Sequence, residues 1–473
     1  MEDFISKLNP RRVFEFFSEI SRIPRASGNE SKIAAYLCDF AKRHHMDHYR
    51  DAQNNVLIQY TPTAVAAAPC LLLQGHSDMV AVAEPAANHD FEIEPLALFL
   101  DAEGMLGAKH TSLGADNGIG VAMMLALLEE KPRRPLDCLF TSCEEVGMEG
   151  ALSFDYSKIR ARQMINLDSE DEHEVVVGCA GGMRIHATAK ASSLSCSGRA
   201  LRVRLDGFFG GHSGTDIARG RTNAARLLCK ILLSILEKYD GRLISVCGGE
   251  KDNAIPSCAA ADILVSPAAS EEIRTLFKRQ KHLFCAEDRN SEISVESFDF
   301  CGDALDAFSS KKLLRCILRI KNGVVDFDER LHAVMTSLNL GVLKIDSSVA
   351  MLEISLRSCE DATLQKLAKE VEATLAAGGF TFGRSGAYPA WPYRANSKLL
   401  SDYIEVYRRH YGDAPSVYSI HAGLECGVIC SSLREMEAIS IGPTVLSVHT
   451  THERLDTASV DRVYRLLKEI VDA

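Results

Sequence analysis

Short apolar runs that end in acidic residues or histidine constrain the fold of this chain most. The stretch "LDCLFTSCEEVG", residues 136–147, begins as a buried strand would and ends in Glu144 and Glu145. Similar runs lead into such residues at 70–80 ("CLLLQGHSDMV") and 163–170 ("QMINLDSE"), and a further run with strand character lies at 55–60 ("NVLIQY"). Helical patterns, such as the one at 118–131, lie between some of them. Buried strands that alternate with helices predict a largely parallel α/β sheet with function at the carboxyl ends of its strands.

The two adjacent glutamates need a partner. Two carboxylates beside an apolar element are costly to desolvate unless a cation or a proton compensates them. Neighbouring side chains on a strand point to opposite faces, so the pattern predicts that Glu144 and Glu145 serve different partners.

The character of the sequence changes near residue 184. Polar and apolar residues alternate at 184–190, 200–206 and 349–357, as in half-buried antiparallel strands, and a long helix is predicted at about 219–238. These features predict an α+β domain with an antiparallel sheet, inserted into a discontinuous α/β core. The predicted boundaries are 1–183 and 385–473 for the core and 184–384 for the insertion.

Length and charge narrow the class of protein. A chain of 473 residues is expected to form two domains. The net charge of −11 disfavours a nucleic-acid partner or an anionic membrane. No window approaches 18 uninterrupted apolar residues, so no transmembrane helix is expected.

The cysteines and the N-terminal sequence indicate the compartment. The 15 cysteines are scattered, with no Cys-x-x-Cys pair, and the N-terminus has no apolar segment of the kind that a secretory signal needs. We therefore expect reduced thiols in a cytoplasmic protein, and no zinc site built from cysteines.

Seven acidic or histidine residues fall at strand ends or in adjacent loops. They are His76 and Asp78 in "GHSDMV", Asp116 in "SLGADNGIG", the glutamate pair, Asp168 in "NLDSE" and His449 in "SVHTTHERL". Singly, each has a plainer explanation, such as a surface hydrogen-bonded pair, a glycine-rich turn or a capping box. Together they are the ligand types of a two-metal hydrolytic site, which suits Zn²⁺, Mn²⁺ or Co²⁺.

The order of these residues and their contexts resemble the M20 metallopeptidase family. The branch that is most similar is that of the aminoacyl-histidine dipeptidases, also called Xaa-His or cytosol non-specific dipeptidases. Further matching motifs span nearly the whole chain: "SRIPRASGNE", "CAGG", "GGHSGTDI", "NAIP", "SLNLGV", "GAYPAW", "HAGLECG" and "IGPTVLSVH". The resemblance implies a di-metal peptidase core with an inserted lid or dimerisation domain.

The resemblance also implies a ligand set for two metal ions. Asp116 would bridge them, Glu145 and His449 would complete one site, and His76 and Asp168 would complete the other. Zinc is the expected metal, with cobalt and manganese as alternatives. His452 lies close to His449 in sequence, but the family spacing His-x-x-x-Glu favours His449.

Further roles carry over position by position. Glu144 matches the general base, and Asp78 matches the residue that orients the neighbouring histidine. His212 in "GGHSG" matches a histidine that stabilises the oxyanion in the partner subunit's site, which implies a homodimer; its plainer role is to stabilise a turn.

Three more residues are expected near the substrate. Arg357 and Asn253 resemble positions that hold the free carboxylate of the substrate, although a buried arginine could equally form a structural ion pair. His421 belongs to "HAGLECG" and is expected close to the substrate, as is Glu425.

The implied function is metal-dependent hydrolysis of dipeptides, of the Xaa-His type and others with free termini. A water activated by the two metals would attack, with Glu144 as general base. One alternative is an N-acyl amino-acid amidohydrolase of the same superfamily, and another is a catalytically silent metal-binding relative.

Overall fold

The computed structural model of the chain describes residues 4–63, 69–329 and 333–472. These residues form two compact units. The first covers the described chain up to Cys179, then Trp391–Ser419, and continues from Leu424 onward; the second covers Ala180–Ala390 and Ile420–Gly423. Sequence patterns predicted breaks after 183 and after 384. No described helix is both long and apolar enough to cross a bilayer.

The first unit begins with helices and strands in alternation. Its elements up to Cys179 are α1 (Arg11–Ile20), α2 (Ser31–Arg43), β1 (Asp47–Arg50), β2 (Val56–Tyr60), β3 (Leu71–His76), β4 (Leu98–Leu100), β5 (Met105–Ala108), α3 (Ala115–Glu130), β6 (Leu136–Thr141), α4 (Glu149–Ser153), β7 (Gln163–Asn166) and β8 (Glu174–Cys179).

The second unit is dominated by long strands. Its elements are β9 (Gly181–Lys190), β10 (Ser193–Asp206), β11 (Gly211–His212), α5 (Ala224–Lys238), β12 (Gly241–Gly248), β13 (Ala254–Ile255), β14 (Ala259–Val265), α6 (Ser270–Lys278), β15 (Glu292–Leu305), α7 (Ala307–Arg319), β16 (Gly323–Asp328), β17 (Ala333–Ile345), β18 (Val349–Ser358), α8 (Asp361–Gly378) and β19 (Thr381–Tyr388).

The chain then completes the first unit. The remaining elements are α9 (Lys398–Tyr411), β20 (Ser416–Ile420), α10 (Glu425–Ser432), β21 (Glu437–Ser440), β22 (Val445–Leu446), β23 (Arg454–Asp456) and α11 (Thr457–Asp472). Short 3₁₀ turns, such as Ile5–Lys7, link some elements in both units.

An eight-stranded mixed sheet organises the first unit, in the order β1-β2-β6-β3-β7-β21-β8-β20. Strand β3 is parallel to β6 and β7, and β21 is parallel to β7. The strands β3 and β6 are buried at every residue, as parallel strands covered on both faces are. Because parallel strands end at the same edge, the residues that follow β6, β3, β7 and β21 lie together.

A nine-stranded antiparallel sheet organises the second unit, in the order β15-β10-β14-β12-β17-β18-β9-β19, with β16 paired to β17. Buried residues alternate with exposed ones along most of β9 and with partly buried ones along β14, which gives the sheet one apolar face. Apolar residues of α5, α7 and α8 share a core with that face. The predicted fold class, a mixed α/β core with an inserted antiparallel α+β domain, is confirmed.

Candidate metal centre

The sheet of the first unit gathers the predicted ligands at one edge. His76 is the last residue of β3, and Asp168 follows β7 after one further residue. Glu144 and Glu145 lie in the turn after β6. Asp116 lies in the first turn of α3, and His449 lies in the segment between β22 and β23.

The carboxylate of Asp116 faces two histidines, one with each oxygen. Its Oδ1 lies 2.9 Å from His76 Nε2, and its Oδ2 lies 3.1 Å from His449 Nε2. Asp116 is therefore shared between two groups of potential ligands, as a carboxylate that bridges two metal ions must be.

Each histidine has a second carboxylate beside it. His76 Nε2 lies 3.3 Å from Asp168 Oδ1, and His449 Nε2 lies 3.0 Å from Glu145 Oε2. His76 thus belongs to one group and His449 to the other, and the two groups meet at Asp116.

The donor atoms are close enough to hold cations. In three groups, one donor atom from each member lies within 4.8 Å of the others; the groups are His76–Asp116–Asp168, Asp116–Glu145–His449 and His76–Glu144–Glu145. Imidazole nitrogen and carboxylate oxygen are ligands that suit zinc and neighbouring divalent metals. These residues therefore fit the two-metal centre that the sequence predicts. No candidate group among the described residues contains His452.

The cluster contains several buried carboxyl groups, which positive charge would stabilise in their ionised forms. Burial, together with neighbouring carboxylates, raises the pKa of Asp168 to about 6 and that of Glu144 well above its usual value. Burial also acts to raise the pKa of Asp116, but contacts with His449 and His76 outweigh it and lower that pKa. Contacts with Asp116 and Glu145 raise the pKa of His449 to about 11. The carboxyl groups of Asp168 and Glu144 therefore favour their protonated forms unless cations neutralise the charge of the cluster.

Comparison with known proteins agrees with this geometry. The sequence profile of peptidase family M20/M25/M40 matches residues 72–473. The chain belongs to this family.

Two relatives match the M20 chain over almost its whole length. The cytosol non-specific dipeptidase of Escherichia coli is 33% identical over 99% of this chain and 98% of its own. The crystal structure of aminoacylhistidine dipeptidase from Vibrio alginolyticus matches with a TM-score of 0.86 and 30% identity, over 99% of this chain and 97% of the other. Aminopeptidase PepT from Bacillus cereus shares the fold, with a TM-score of 0.65 and 14% identity over 98% of each chain.

The two adjacent glutamates of this M20 chain are placed differently from what strand alternation predicts. Strand β6 ends at Thr141, and Cys143 then takes a left-handed backbone conformation with φ of 50°. The chain turns there, so Glu144 and Glu145 both come within reach of His76. The opposite-face argument was wrong for this pair because the strand ends before it.

The buried carboxylate of Asp78 accepts hydrogen bonds from the backbone of this turn. Its Oδ1 accepts the backbone N–H of Glu144 at 3.2 Å, and its Oδ2 accepts that of Glu145 at 3.3 Å. The same Oδ1 lies 3.3 Å from His76 Nδ1. One buried carboxylate therefore contacts a candidate ligand, His76, and the turn that carries both glutamates.

Glu425 lies in the first unit, fully buried. Its Oε2 accepts hydrogen bonds from Thr141 Oγ1, at 2.6 Å, and from Gln74 Nε2. Burial raises the pKa of Glu425 to about 8. Its partners precede the ligand segments on β3 and β6, so Glu425 braces those two strand ends rather than facing solvent.

The second unit brings together four residues that the sequence predicted near the substrate. His212 Nε2 lies 3.4 Å from Arg357 Nη2. The backbone carbonyl of Asn253 accepts the N–H of Ser213 at 2.7 Å, because β11 pairs with β13 at this point. The carbonyl of His421 lies against Gly214, where a Cβ would approach it to 2.4 Å.

Two neighbours of this cluster were missed. Tyr388 Oη accepts a hydrogen bond from Arg357 Nη1 at 2.7 Å, and Ser337 Oγ lies 2.8 Å from His421 Nε2. Both belong to motifs that matched the family, "GAYPAW" and "SLNLGV", which was the available signal. Burial, followed by the charges of Arg357 and His212, lowers the pKa of His421 to about 4, so this ring is neutral at pH 7.

Proposed function

We propose that this M20 chain is a metal-dependent dipeptidase that hydrolyses dipeptides with free termini, including Xaa-His dipeptides. The observation that carries the proposal is the carboxylate of Asp116, which faces His76 with one oxygen and His449 with the other. The near-complete match to a cytosol non-specific dipeptidase supports the substrate class.

Five residues would hold two divalent ions. Asp116 would be shared, Glu145 and His449 would complete one site, and His76 and Asp168 would complete the other. When bound, such ions lower the pKa of a water molecule and polarise the peptide carbonyl. Zinc suits these nitrogen and oxygen donors best, with cobalt or manganese as alternatives.

Glu144 would move the proton. It lies in the same candidate group as His76 and Glu145, and burial raises its pKa, which makes its carboxylate a stronger proton acceptor than that of an exposed glutamate. Glu144 would take a proton from the attacking water and deliver it to the leaving nitrogen. Asp78 would hold His76 and the glutamate turn in place while this happens.

Four residues of the second unit would bind substrate. Arg357 is 7% exposed, and the two residues beside it, Tyr388 and His212, carry no negative charge. A guanidinium that has no carboxylate partner among the described residues is suited to hold the C-terminal carboxylate of a substrate. Asn253 and His421 would assist, and His212 would donate a hydrogen bond to the oxyanion.

We further propose that the protein is a cytoplasmic homodimer in which His212 acts on the site of the partner subunit. This assignment rests on the family resemblance. In its own chain His212 lies beside Arg357, so the subunit that His212 serves needs a direct test.

One experiment tests the proposed reaction. The metal-depleted protein is assayed against alanyl-histidine, carnosine, neutral dipeptides and N-acetyl amino acids, before and after addition of Zn²⁺, Mn²⁺ or Co²⁺. We expect metal-restored cleavage of free dipeptides, lost in Glu144→Gln and kept in Glu149→Gln, because Glu149 is exposed and belongs to no ligand group. Cleavage of the acetylated compounds alone would indicate the amidohydrolase, and metal binding without turnover would indicate the silent relative.

A further inference from the structure

The loop at 113–116, which carries the shared carboxylate Asp116, lies between two buried charged side chains. Arg25 and Glu453 are each 2% exposed, and both contact the backbone of this loop. Neither belongs to a candidate group of metal ligands in the part of the chain that the structure describes. The proposed reaction leaves both without a role.

Glu453 holds the N–H side of the loop. Its two oxygens accept the backbone N–H groups of all four loop residues, at 2.7 Å from Leu113, 2.9 Å from Gly114, 2.8 Å from Ala115 and 3.3 Å from Asp116. Glu453 also follows His449 by four residues. This side chain therefore ties the segment of one ligand, His449, to the segment of another, Asp116.

Arg25 holds the carbonyl side. Its Nη1 donates to the carbonyl oxygens of Asp78, at 2.7 Å, and Ser77, at 3.2 Å, and its Nη2 donates to that of Gly114. Ser77 and Asp78 directly follow His76. The guanidinium therefore links the segment of a third ligand to the Asp116 loop.

Two glycines of "GADNG" leave room for this guanidinium. A Cβ at Gly114 or at Gly118 would lie 2.5 Å from Arg25 Nη2. Burial lowers the pKa of Arg25 to about 10, and Glu453 is the strongest of the carboxylates that oppose this shift. Arg25 thus remains a cation at pH 7, with an anion on the other side of the loop.

We propose that Arg25 and Glu453 are a positioning pair that assembles the ligand segments of His76, Asp116 and His449 before metal binds, and so sets the metal affinity. The proposal rests on the two-metal centre of the proposed function. The loop directs its N–H groups at the anion and a carbonyl at the cation, so charge and peptide dipoles match on both sides. A protein without this pair would have to order three segments, far apart in sequence, at the expense of metal-binding energy.

Arg134 provides a matched control for Arg25. It is also buried, at 7% exposure, and it also donates to backbone carbonyls, to Pro69 O from Nε at 3.1 Å and from Nη2 at 2.9 Å. It acts at the opposite ends of the same strands, because Pro69 precedes β3 and Arg134 precedes β6. Arg25→Met and Arg134→Met therefore remove the same kind of contact at the two ends of the sheet.

The test is calorimetric titration of Zn²⁺ into the metal-depleted variants, with Tm measured in parallel. We expect Arg25→Met to bind zinc about 10- to 100-fold more weakly, in the range found when residues that support metal ligands are lost. Arg134→Met should lower Tm and leave zinc affinity unchanged. Because the readout is metal binding, its outcome does not depend on which substrate the enzyme cleaves.

Glu453→Gln is tested against Glu172→Gln in the same way. Glu172 is 5% exposed and accepts from Arg462 Nε and Tyr411 Oη, each at 2.7 Å. Only Glu453→Gln should weaken zinc binding. If Arg25→Met fails to fold, Arg25→Lys keeps the charge without the forked donors and should still bind zinc more weakly. Wild-type zinc affinity in both Arg25→Lys and Glu453→Gln would overturn the proposal, whatever happens to Tm.

Discussion

The carboxylate of Asp78 accepts the backbone N–H of Glu144, with 3.2 Å between Oδ1 and the amide nitrogen. Its other oxygen accepts the backbone N–H of Glu145 and the hydroxyl of Ser27, the latter at 2.8 Å. These bonds place the proposed general base and a proposed metal ligand relative to His76, which lies beside the same carboxylate.

Asp78→Asn should lower activity without removing any metal ligand. An asparagine presents an N–H₂ group where Asp78 has an oxygen, so at least one of the accepted bonds is lost. We expect a loss of about 10- to 100-fold in kcat/KM or in metal affinity. Steady-state kinetics at saturating zinc separate the two effects. Asp137→Asn is the control, because Asp137 is equally buried and lies near the other end of β6; an equal loss in both variants would contradict the assigned role.

Removal of the metals should lower the stability of the first unit. Without cations, the carboxylates of Asp116, Glu144, Glu145 and Asp168 repel one another. Metal at 100-fold excess over its Kd stabilises the folded state by about 2.7 kcal/mol per site. We expect chelation to lower Tm, two equivalents of zinc to restore it, and Asp116→Asn to abolish most of this response. If the Tm of the wild-type protein does not change with zinc, the proposal that these residues bind two metal ions is wrong.

His421 should make the second unit less stable in acid. Its pKa is about 4 in the folded chain and about 6.5 when unfolded, so between these values the unfolded state binds more protons. The contribution of neutral His421 to the free energy of unfolding is fully present above pH 6.5 and is lost as the pH falls toward 4. The loss is at most about 3 kcal/mol. We therefore expect the difference in Tm between His421→Gln and the wild-type protein, measured from pH 4 to 7.5, to become smaller as the pH falls. A constant difference would show that His421 does not titrate in this way.

Arg357 and Tyr388 should affect substrate binding more than turnover. Loss of the hydrogen bond in Tyr388→Phe, worth about 1 kcal/mol, should raise KM about fivefold by leaving the guanidinium less well oriented. Arg357→Met should raise KM further. A dipeptide with an amidated C-terminus provides the comparison, because it lacks the carboxylate. If Arg357→Met raises KM equally for the free dipeptide and for the amidated one, Arg357 does not recognise the carboxylate.

Mixing two inactive variants should reveal which subunit His212 serves. The His212→Ala variant lacks the proposed oxyanion donor, and the Glu144→Ala variant lacks the proposed general base. If His212 acts across the dimer, each mixed dimer contains one complete site, and random re-association should recover about a quarter of the wild-type activity. No recovery in mixed dimers, verified by mass spectrometry, would place His212 in the site of its own chain.

Much of the candidate metal centre could be predicted because its residues lie beside strong local sequence patterns. His76 ends a run of buried apolar residues, and Asp168 follows another, so strand prediction alone puts them at one edge. The alternation at 349–357 likewise predicted a strand that the structure shows as Val349–Ser358.

Other features depend on pairing between distant segments. Ser337 lies opposite Arg357 because of the register between β17 and β18, which no local pattern specifies. The turn at Cys143 was missed because its left-handed conformation occurs in a residue with no preference for it. The support of the Asp116 loop by Arg25 and Glu453 joins residues from opposite ends of the chain, which no local pattern relates.

The position of β21 in the first sheet has a consequence during protein synthesis. This strand lies between β7 and β8, yet the ribosome makes it roughly 250 residues after β8. At typical elongation rates, the edges of β7 and β8 stay unpaired for on the order of 10–50 s. During that interval β7 has one open edge, β8 has two until β20 is also made, and the nascent chain still lacks His449 and Glu453. Newly made chains can therefore aggregate through these unpaired edges until β20 and β21 have been synthesised.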